Sequence, residues 1–507
     1  MRHTYPRLAL SLVAALGFTI AGATANAAPK RGGILKYIIP SNPPSADGHR
    51  ETTFGTIHPF AQFYSVLIRV NPDNPGSPTD FKCDLCVGEV PNPTNGGLKY
   101  TFKIRQGVEF HDGSALTADD VVWSMNRHIA EGSPSSIGAF FTLVEEWKAV
   151  DKHTVKLTLS SPDADMPFKL TQPQAKIVKK DNPLVGSGPY LTEEFQAGVK
   201  SNHVRNPNYW RDTGQHLDSI EITAITDPNA RLNALLAGSV DMVVTPSAKM
   251  IKKIEESGNT VLSVPSGVYG GICCLKNTAP GDNDDLVQGL RLIQDRERIV
   301  RTYLKGHGTL GNDHPINIAY GADHCHELPQ IPYDPDQAKW HLNKSGYSEA
   351  ELFVAPVSGA IEDTCLLMQA NLKKIGFDLK LKKVPTDGYW GAVWMKEPLN
   401  VVSWNMRPTA NAMMALQFGP NGNWNDTYWN SDRMGQLLKD SLAETDPVKR
   451  HELHCEMQKL VSTQSGIIIP YHTNVLDGHN SKIHGFSNCP LGAFGGNGWA
   501  EHIWREA

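Results

Sequence analysis

The chain has 507 residues, too many for a single hydrophobic core, so two or three domains are expected. Charged residues make up 20% and aromatics 8%, the balance of a folded soluble protein, which excludes global disorder. A formal charge of −5 with no basic run argues against a nucleic-acid partner.

Arg2 and Arg7 precede a mostly apolar stretch from Leu8 to Ile20, and Ala25-Asn26-Ala27 has the form of an export cleavage site. Residues 1–27 therefore read as a signal peptide. The stretch is shorter than the roughly 18 apolar residues a bilayer span requires, and no second span is evident. No cysteine follows the cleavage site, so a lipid anchor is not indicated. The expected product is a soluble, exported, periplasmic protein beginning near Ala28, with 46 basic against 53 acidic residues and a charge of −7.

Gly33 to Ile39 reads as a first strand, stopped by Pro40 and the Pro43-Pro44 pair. The polar loop Asp47 to Thr53 follows. Loops leaving the first strand of an α/β domain commonly face the cleft, which makes His49 and Glu51 candidates for ligand contact. Tyr100, Phe102 and Ile104 then alternate with Thr101, Lys103 and Arg105, the pattern of a half-buried strand. His111 and Asp112 sit in a tight turn and are read as turn-formers. Thr117-x-x-Asp120 is a capping box that opens a helix carrying Val121, Val122, Met125 and Ile129.

Farther on, Leu286, Leu290 and Ile293 form a helical stripe, and Ile299, Tyr303 and Leu304 continue to a capping Gly306. Ile361, Cys365, Met368, Leu372 and Ile375 follow helical spacing to Gly376, after which Phe377 to Lys382 alternates as a strand. Helix and strand in repetition imply a sheet clothed by helices. Leu399 to Trp404 is an apolar run of buried-strand length that ends abruptly in Asn405, Arg407 and Pro408. Proline denies the preceding residue the helical region, so Arg407 is held extended at a rigid edge suited to a polar ligand.

Several of these stretches together resemble one family. Tyr100-Thr101-Phe102-Lys103-Ile104-Arg105-Gln106-Gly107-Val108-Glu109-Phe110-His111-Asp112-Gly113, with Leu116 to Ser124 after it, is similar to the signature of the large periplasmic solute-binding proteins of peptide/opine/nickel ABC importers, extracellular solute-binding protein family 5. Gly186-Ser187-Gly188-Pro189-Tyr190, Arg205 to Trp210, Arg231 to Asp241, Tyr333 to Lys339 and Thr445 to Arg450 follow in that family's order. The resemblance implies an α/β, type II periplasmic-binding-protein fold with two hinged lobes and an extra domain inserted in the first. It implies the first lobe at 28–75, 186–264 and 475–507, the extra domain at 76–185, and the second lobe at 265–474. The chain would cross between lobes near Val264-Pro265-Ser266-Gly267 and Tyr471 to Val475. It further implies a monomer that hands a small-molecule ligand to an inner-membrane ABC permease and its ATPase.

In dipeptide-binding members the turn matching Trp404 to Arg407 resembles W-x-x-D, and that aspartate pairs with the ligand's amino terminus. Arg407 takes the aspartate's place here, which reverses the preferred charge and favours a ligand with an acidic group. Trp404 is expected to form a flat wall and Asn405 a hydrogen-bonding group, with Tyr269 and Trp424 closing the other sides. Gly270-Gly271 would let backbone approach the ligand.

Enzyme signatures are missing: there is no G-x-S-x-G, H-E-x-x-H, Walker loop or G-x-G-x-x-G after a strand. No cofactor and no catalytic residue is expected. The rival is an exported metal or metal-chelate carrier of the nickel or haem type, or a secreted enzyme, using His324-Cys325-His326, or His451 and His454 beside Cys455. Of the eight cysteines, Cys83-x-x-Cys86 reads as a disulfide more readily than half a zinc site. Cys455 and Cys489 could tie the last helix to the tail, and the vicinal Cys273-Cys274 are not expected to bridge each other.

Overall fold

The computed structural model describes residues 29–506, apart from 41, 51–56, 78, 212–213, 245, 387, 421, 423, 445, 487 and 493–498. The expected signal peptide and Glu51 lie outside the described residues. Among the described residues no helix is long and apolar enough to cross a membrane.

One sheet of eleven strands runs through the molecule. In chain order they are β1 (Ile34–Ile39), β2 (Tyr190–Gln196), β3 (Lys200–Arg205), β4 (Ser219–Ala224), β5 (Met242–Val244), β6 (Asn259–Cys274), β7 (Gly308–Leu310), β8 (Glu349–Val354), β9 (Asp378–Lys383), β10 (Leu399–Trp404) and β11 (Ile467–Asn480). Their lateral order is β9-β8-β10-β6-β11-β5-β1-β4-β3-β2, with β7 beside β11. β1 is parallel to β4 and β5, and β8 is parallel to β9 and β10, so each end of the sheet is an α/β unit with its own core. Leu35, Tyr37, Ile220 and Met242 centre one core; Ile272, Leu290, Leu352, Cys365 and Leu372 centre the other.

β6 and β11 are the two strands common to both halves. Asn259–Val264 pair with Asn480–Val475 beside β5, whereas Val268–Cys273 pair with Thr473–Ile467 beside β10. The register slips between Val264 and Val268, where Pro265 has no N–H to give the ladder. Gly267 is required there by close approach: a Cβ would stand 2.6 Å from the Tyr320 ring and 2.9 Å from Met406 Cγ. Ser266 Oγ donates to the Pro490 carbonyl at 2.6 Å, and Asn317 Nδ2 donates to the Ser266 carbonyl at 2.8 Å, which pins the bulge.

A separate three-stranded antiparallel sheet, Lys99–Lys103, Thr154–Leu159 and Val144–Asp151, lies under the helix Ala118–Ile129. Tyr100, Phe102 and Ile104 are buried as their alternation predicts, and the Thr117–Asp120 capping box forms. The core of this unit also takes in Leu67 and Ile68, upstream of residue 76. Asp112 accepts from the Ser114 N–H at 3.1 Å and so does turn work, whereas His111 Nε2 bonds the Gly188 carbonyl at 3.0 Å and ties the turn to a segment 77 residues on.

Cys83 and Cys86 are bonded, and Cys273 and Cys274 are separate buried thiols. The pairing of Cys455 with Cys489 is corrected. Cys455 is bonded to Cys325, 130 residues away, and Cys489 is a buried free thiol.

Candidate functional site

A cavity of about 500 Å³ opens where the halves meet at the crossings. His58, Pro228, Lys249, Met250, Leu476 and Pro490 line it from the first half; Val268, Tyr303, His307, Ser358, Trp404 and Asn405 line it from the second. Proline, valine, leucine and methionine make most of the wall apolar. Among the described lining residues there are one lysine, two histidines and no carboxylate. Burial pulls the His58 imidazole down to about 4, so it is neutral at neutral pH.

Trp404 ends β10 at this cavity. Its indole N–H donates to Asp426 Oδ2 at 2.8 Å, and Gln417 Nε2 donates to Asp426 Oδ1 at 3.1 Å. Burial pushes the Asp426 carboxyl up to about 6 despite those donors. This buried node fixes the plane of the indole, so the wall it offers is rigid. Asn405 is exposed to the cavity.

Arg407 lies just beyond the lining residues. Its Nη1 donates to the Asn405 carbonyl at 3.4 Å, its Cζ stands 5.7 Å from the Trp404 ring centre, and its backbone N–H donates to Tyr320 Oη at 3.2 Å. No carboxylate lies within ion-pair distance among the described residues, and burial pulls the guanidinium below its ordinary pKa, with Tyr320 and Tyr269 opposing. A half-buried charge without a partner is costly, and an anionic ligand group would relieve that cost.

Tyr269, Trp424 and His49 sit elsewhere than expected. Tyr269 alternates with the cavity-lining Val268, so its ring points to the opposite face of β6, fully buried, and its hydroxyl donates to Gln417 Oε1 at 2.7 Å. Trp424 packs edge-on against Trp404 with ring centres 5.9 Å apart, but is 44% exposed and outside the cavity lining. His49 is buried beside His128, its Nε2 2.8 Å from the Lys176 carbonyl, and burial pulls it down to about 4. The space beside Gly270 is taken by Tyr471 and Ser358, not left for a ligand. The sequence reading missed Val268, His307, Ser358 and Lys249; strand alternation identifies Val268 once the side of Tyr269 is known.

Among the described residues two ion pairs join the halves, and a backbone bond from the Ala164 N–H to the Leu442 carbonyl at 3.0 Å lies beside the first. Asp165, beside the core residue Met166 of the inserted unit, accepts from Thr409 Oγ1 at 2.6 Å and from Arg450 Nη2 at 2.5 Å, and its side chain is 1% exposed. Thr409 also caps the helix Ala410–Phe418. At the cavity, Lys249 Nζ meets Asp363 Oδ2 at 2.8 Å, with the lysine side chain 62% exposed.

Comparison with known proteins places the chain among described folds. Residues 89–428 match the bacterial extracellular solute-binding proteins, family 5. Heme-binding protein A of Haemophilus influenzae is 25% identical over 452 residues, covering 79% of this chain and 80% of that protein. Di/tripeptide-binding protein 1 of Pseudomonas aeruginosa is 24% identical over 451 residues, covering 79% and 82%. Among solved structures, the PBP AgaA of A. tumefaciens R10 in complex with agropinic acid superposes with a TM-score of 0.77 at 21% identity, over 94% of this chain and 99% of that one.

Proposed function

The chain belongs to the bacterial extracellular solute-binding proteins of family 5, and from that premise we propose that it captures a small organic solute bearing an acidic group in the cavity between its halves. The leader directs it to the periplasm, and the closed, loaded form is handed as a monomer to an inner-membrane ABC permease with its ATPase. No bond of the solute is made or broken. The two sheet halves act as lobes that hinge where β6 and β11 change register, and contacts from both lobes favour closure.

The observation that carries the ligand class is the charge of the wall. A peptide's ammonium would enter a largely apolar cavity that offers it no carboxylate among the described residues, next to the uncompensated Arg407. A carboxylate would pair with that guanidinium in two-pronged fashion. Trp404 supplies the flat wall for the apolar body, and Asn405 an amide for its polar groups.

Protein isolated from periplasm without dialysis, weighed natively, tests this reading. A co-purifying organic mass that ionises as an acid, bound more weakly by Arg407→Ala, supports it. Solutes that carry only an ammonium and bind Arg407→Ala as tightly as the parent protein overturn the ligand class.

A further inference from the structure

The two histidine–cysteine clusters read separately from the sequence meet in space. On the helix Pro447–Gln464, His451 and Cys455 stand four residues apart on one face, and the turn after Asp323 lays Cys325 and Glu327 over them. One donor atom from each of Cys325, Glu327, His451 and Cys455 lies within 4.8 Å of all the others. His451 Nε2 is 3.2 Å from either Glu327 carboxylate oxygen and 3.4 Å from Cys455 Sγ. Glu327 Oε2 is 3.3 Å from Cys325 Sγ and 3.6 Å from Cys455 Sγ. Ligands on a tetrahedral Zn²⁺ with bonds of about 2.0–2.3 Å stand about 3.3–3.8 Å apart, close to these contacts, and the two sulfurs, bonded to each other here, reach that spacing only once their bond is broken.

The imidazole is also oriented as a ligand. A carbonyl only accepts, so the 2.8 Å contact from His451 Nδ1 to the Ala322 carbonyl puts a proton on Nδ1 and fixes the ring with Nε2 toward the sulfurs and Glu327; in this disulfide-bonded form Nε2 donates to the Glu327 carboxylate, and it sheds that proton when it binds an ion. Metal-binding histidines are held by the same kind of outer contact. The four free cysteines are buried, whereas Cys455, His451 and Glu327 reach solvent.

We propose that this is a thiol-gated metal site: bonded to each other, Cys325 and Cys455 cannot serve as thiolate ligands, and once reduced they bind one Zn²⁺ together with His451 and Glu327. A protein dithiol supplies two electrons and two protons to break the Cys325–Cys455 bond and is left as a disulfide. Each freed thiol then gives up its proton as its sulfur binds the ion. The two thiolates and one imidazole suit a borderline-soft cation over calcium or magnesium. The site lies apart from the cavity and does not depend on the ligand proposed there.

Zinc uptake by the intact protein, followed by competition with a chromophoric chelator, tests the proposal. Samples are compared as isolated and after anaerobic reduction with a phosphine. Reduction is expected to add one equivalent of Zn²⁺ above the uptake of Cys325→Ser/Cys455→Ser, which retains the Cys83–Cys86 pair. Co²⁺ in its place is expected to show thiolate charge-transfer absorption. His451→Ala and Glu327→Gln should each weaken uptake by at least the roughly ten- to hundredfold that loss of an outer-shell partner costs. Equal uptake by reduced parent and the double serine variant overturns the site. So does uptake that neither His451→Ala nor Glu327→Gln changes; Glu327 is exposed, so that variant is not compromised by folding.

Discussion

The two ionic contacts that join the halves differ in what they lose when broken. Asp165 is enclosed by Thr409 and Arg450, so separating the halves leaves a carboxylate that folding has stripped of water and that must be hydrated again. Lys249 and Asp363 meet at the edge of the cavity, largely in solvent, and part at little cost. Arg407 is a third case: half-buried beside the cavity, with no carboxylate among the described residues. The enclosed pair lies away from the cavity, the pair at the cavity edge is solvated, and Arg407, just behind the lining, is left without an acidic partner among the described residues.

Breaking the buried contact is expected to have the largest effect. Arg450→Ala leaves Asp165 enclosed without its cation, a loss of about 3–5 kcal/mol for the joined arrangement. Scattering should show a larger radius of gyration for the ligand-free variant, with the double variant Arg450→Ala/Asp165→Asn returning toward the parent. An unchanged radius would remove the contact from any role in closure.

Next is Arg407→Ala, which should weaken an acid-bearing ligand by about 1.5–3 kcal/mol, roughly ten- to a hundredfold, read by calorimetric titration. Arg407→Lys should recover only part of that, because an ammonium lacks the planar fork.

Acidification acts on a different set of buried groups, away from these two contacts. His49, His58, His111 and His472 are pulled down to about 4 by burial, below the ordinary 6.5 that the unfolded chain recovers. The unfolded state therefore binds more protons between pH 6.5 and 4, and stability falls as pH drops through that window. Asp84 and Asp426, raised to about 6 by burial, act in the opposite sense over part of the window. Four imidazoles outweigh two carboxyls, so the urea midpoint should be lower at pH 5 than at pH 7.5. A midpoint that rises on acidification would contradict the burial of these rings. The smallest effect is expected for Lys249→Ala: under about 1 kcal/mol, with ligand affinity close to the parent's.

The fold was legible where local chemistry decided it. The alternation at Tyr100, Phe102 and Ile104, the Thr117–Asp120 box and Pro265 at the crossing each act on neighbours in sequence. The site was only partly legible. Trp404 and Asn405 announced themselves by ending an apolar run, but the cavity-facing half of β6 is buried on both sides, so no period of two marks which face Tyr269 takes. His49 looked like a loop residue because its partners, Lys176 and His128, arrive from segments 127 and 79 residues on. The bond between Cys325 and Cys455 closes a loop that no spacing rule predicts.

The double passage of the chain through β6 and β11 has a consequence for dissection. A cut there leaves strands unpaired on both pieces: residues up to Val264 lack the returning Val475–Asn480, which seals β5, and the remaining piece keeps the second half's strands but carries Val475–Asn480 without its partners. Fragments cut near Gly267 are thus expected to be insoluble singly and to reassemble when produced together, making this protein a natural substrate for split-reporter complementation.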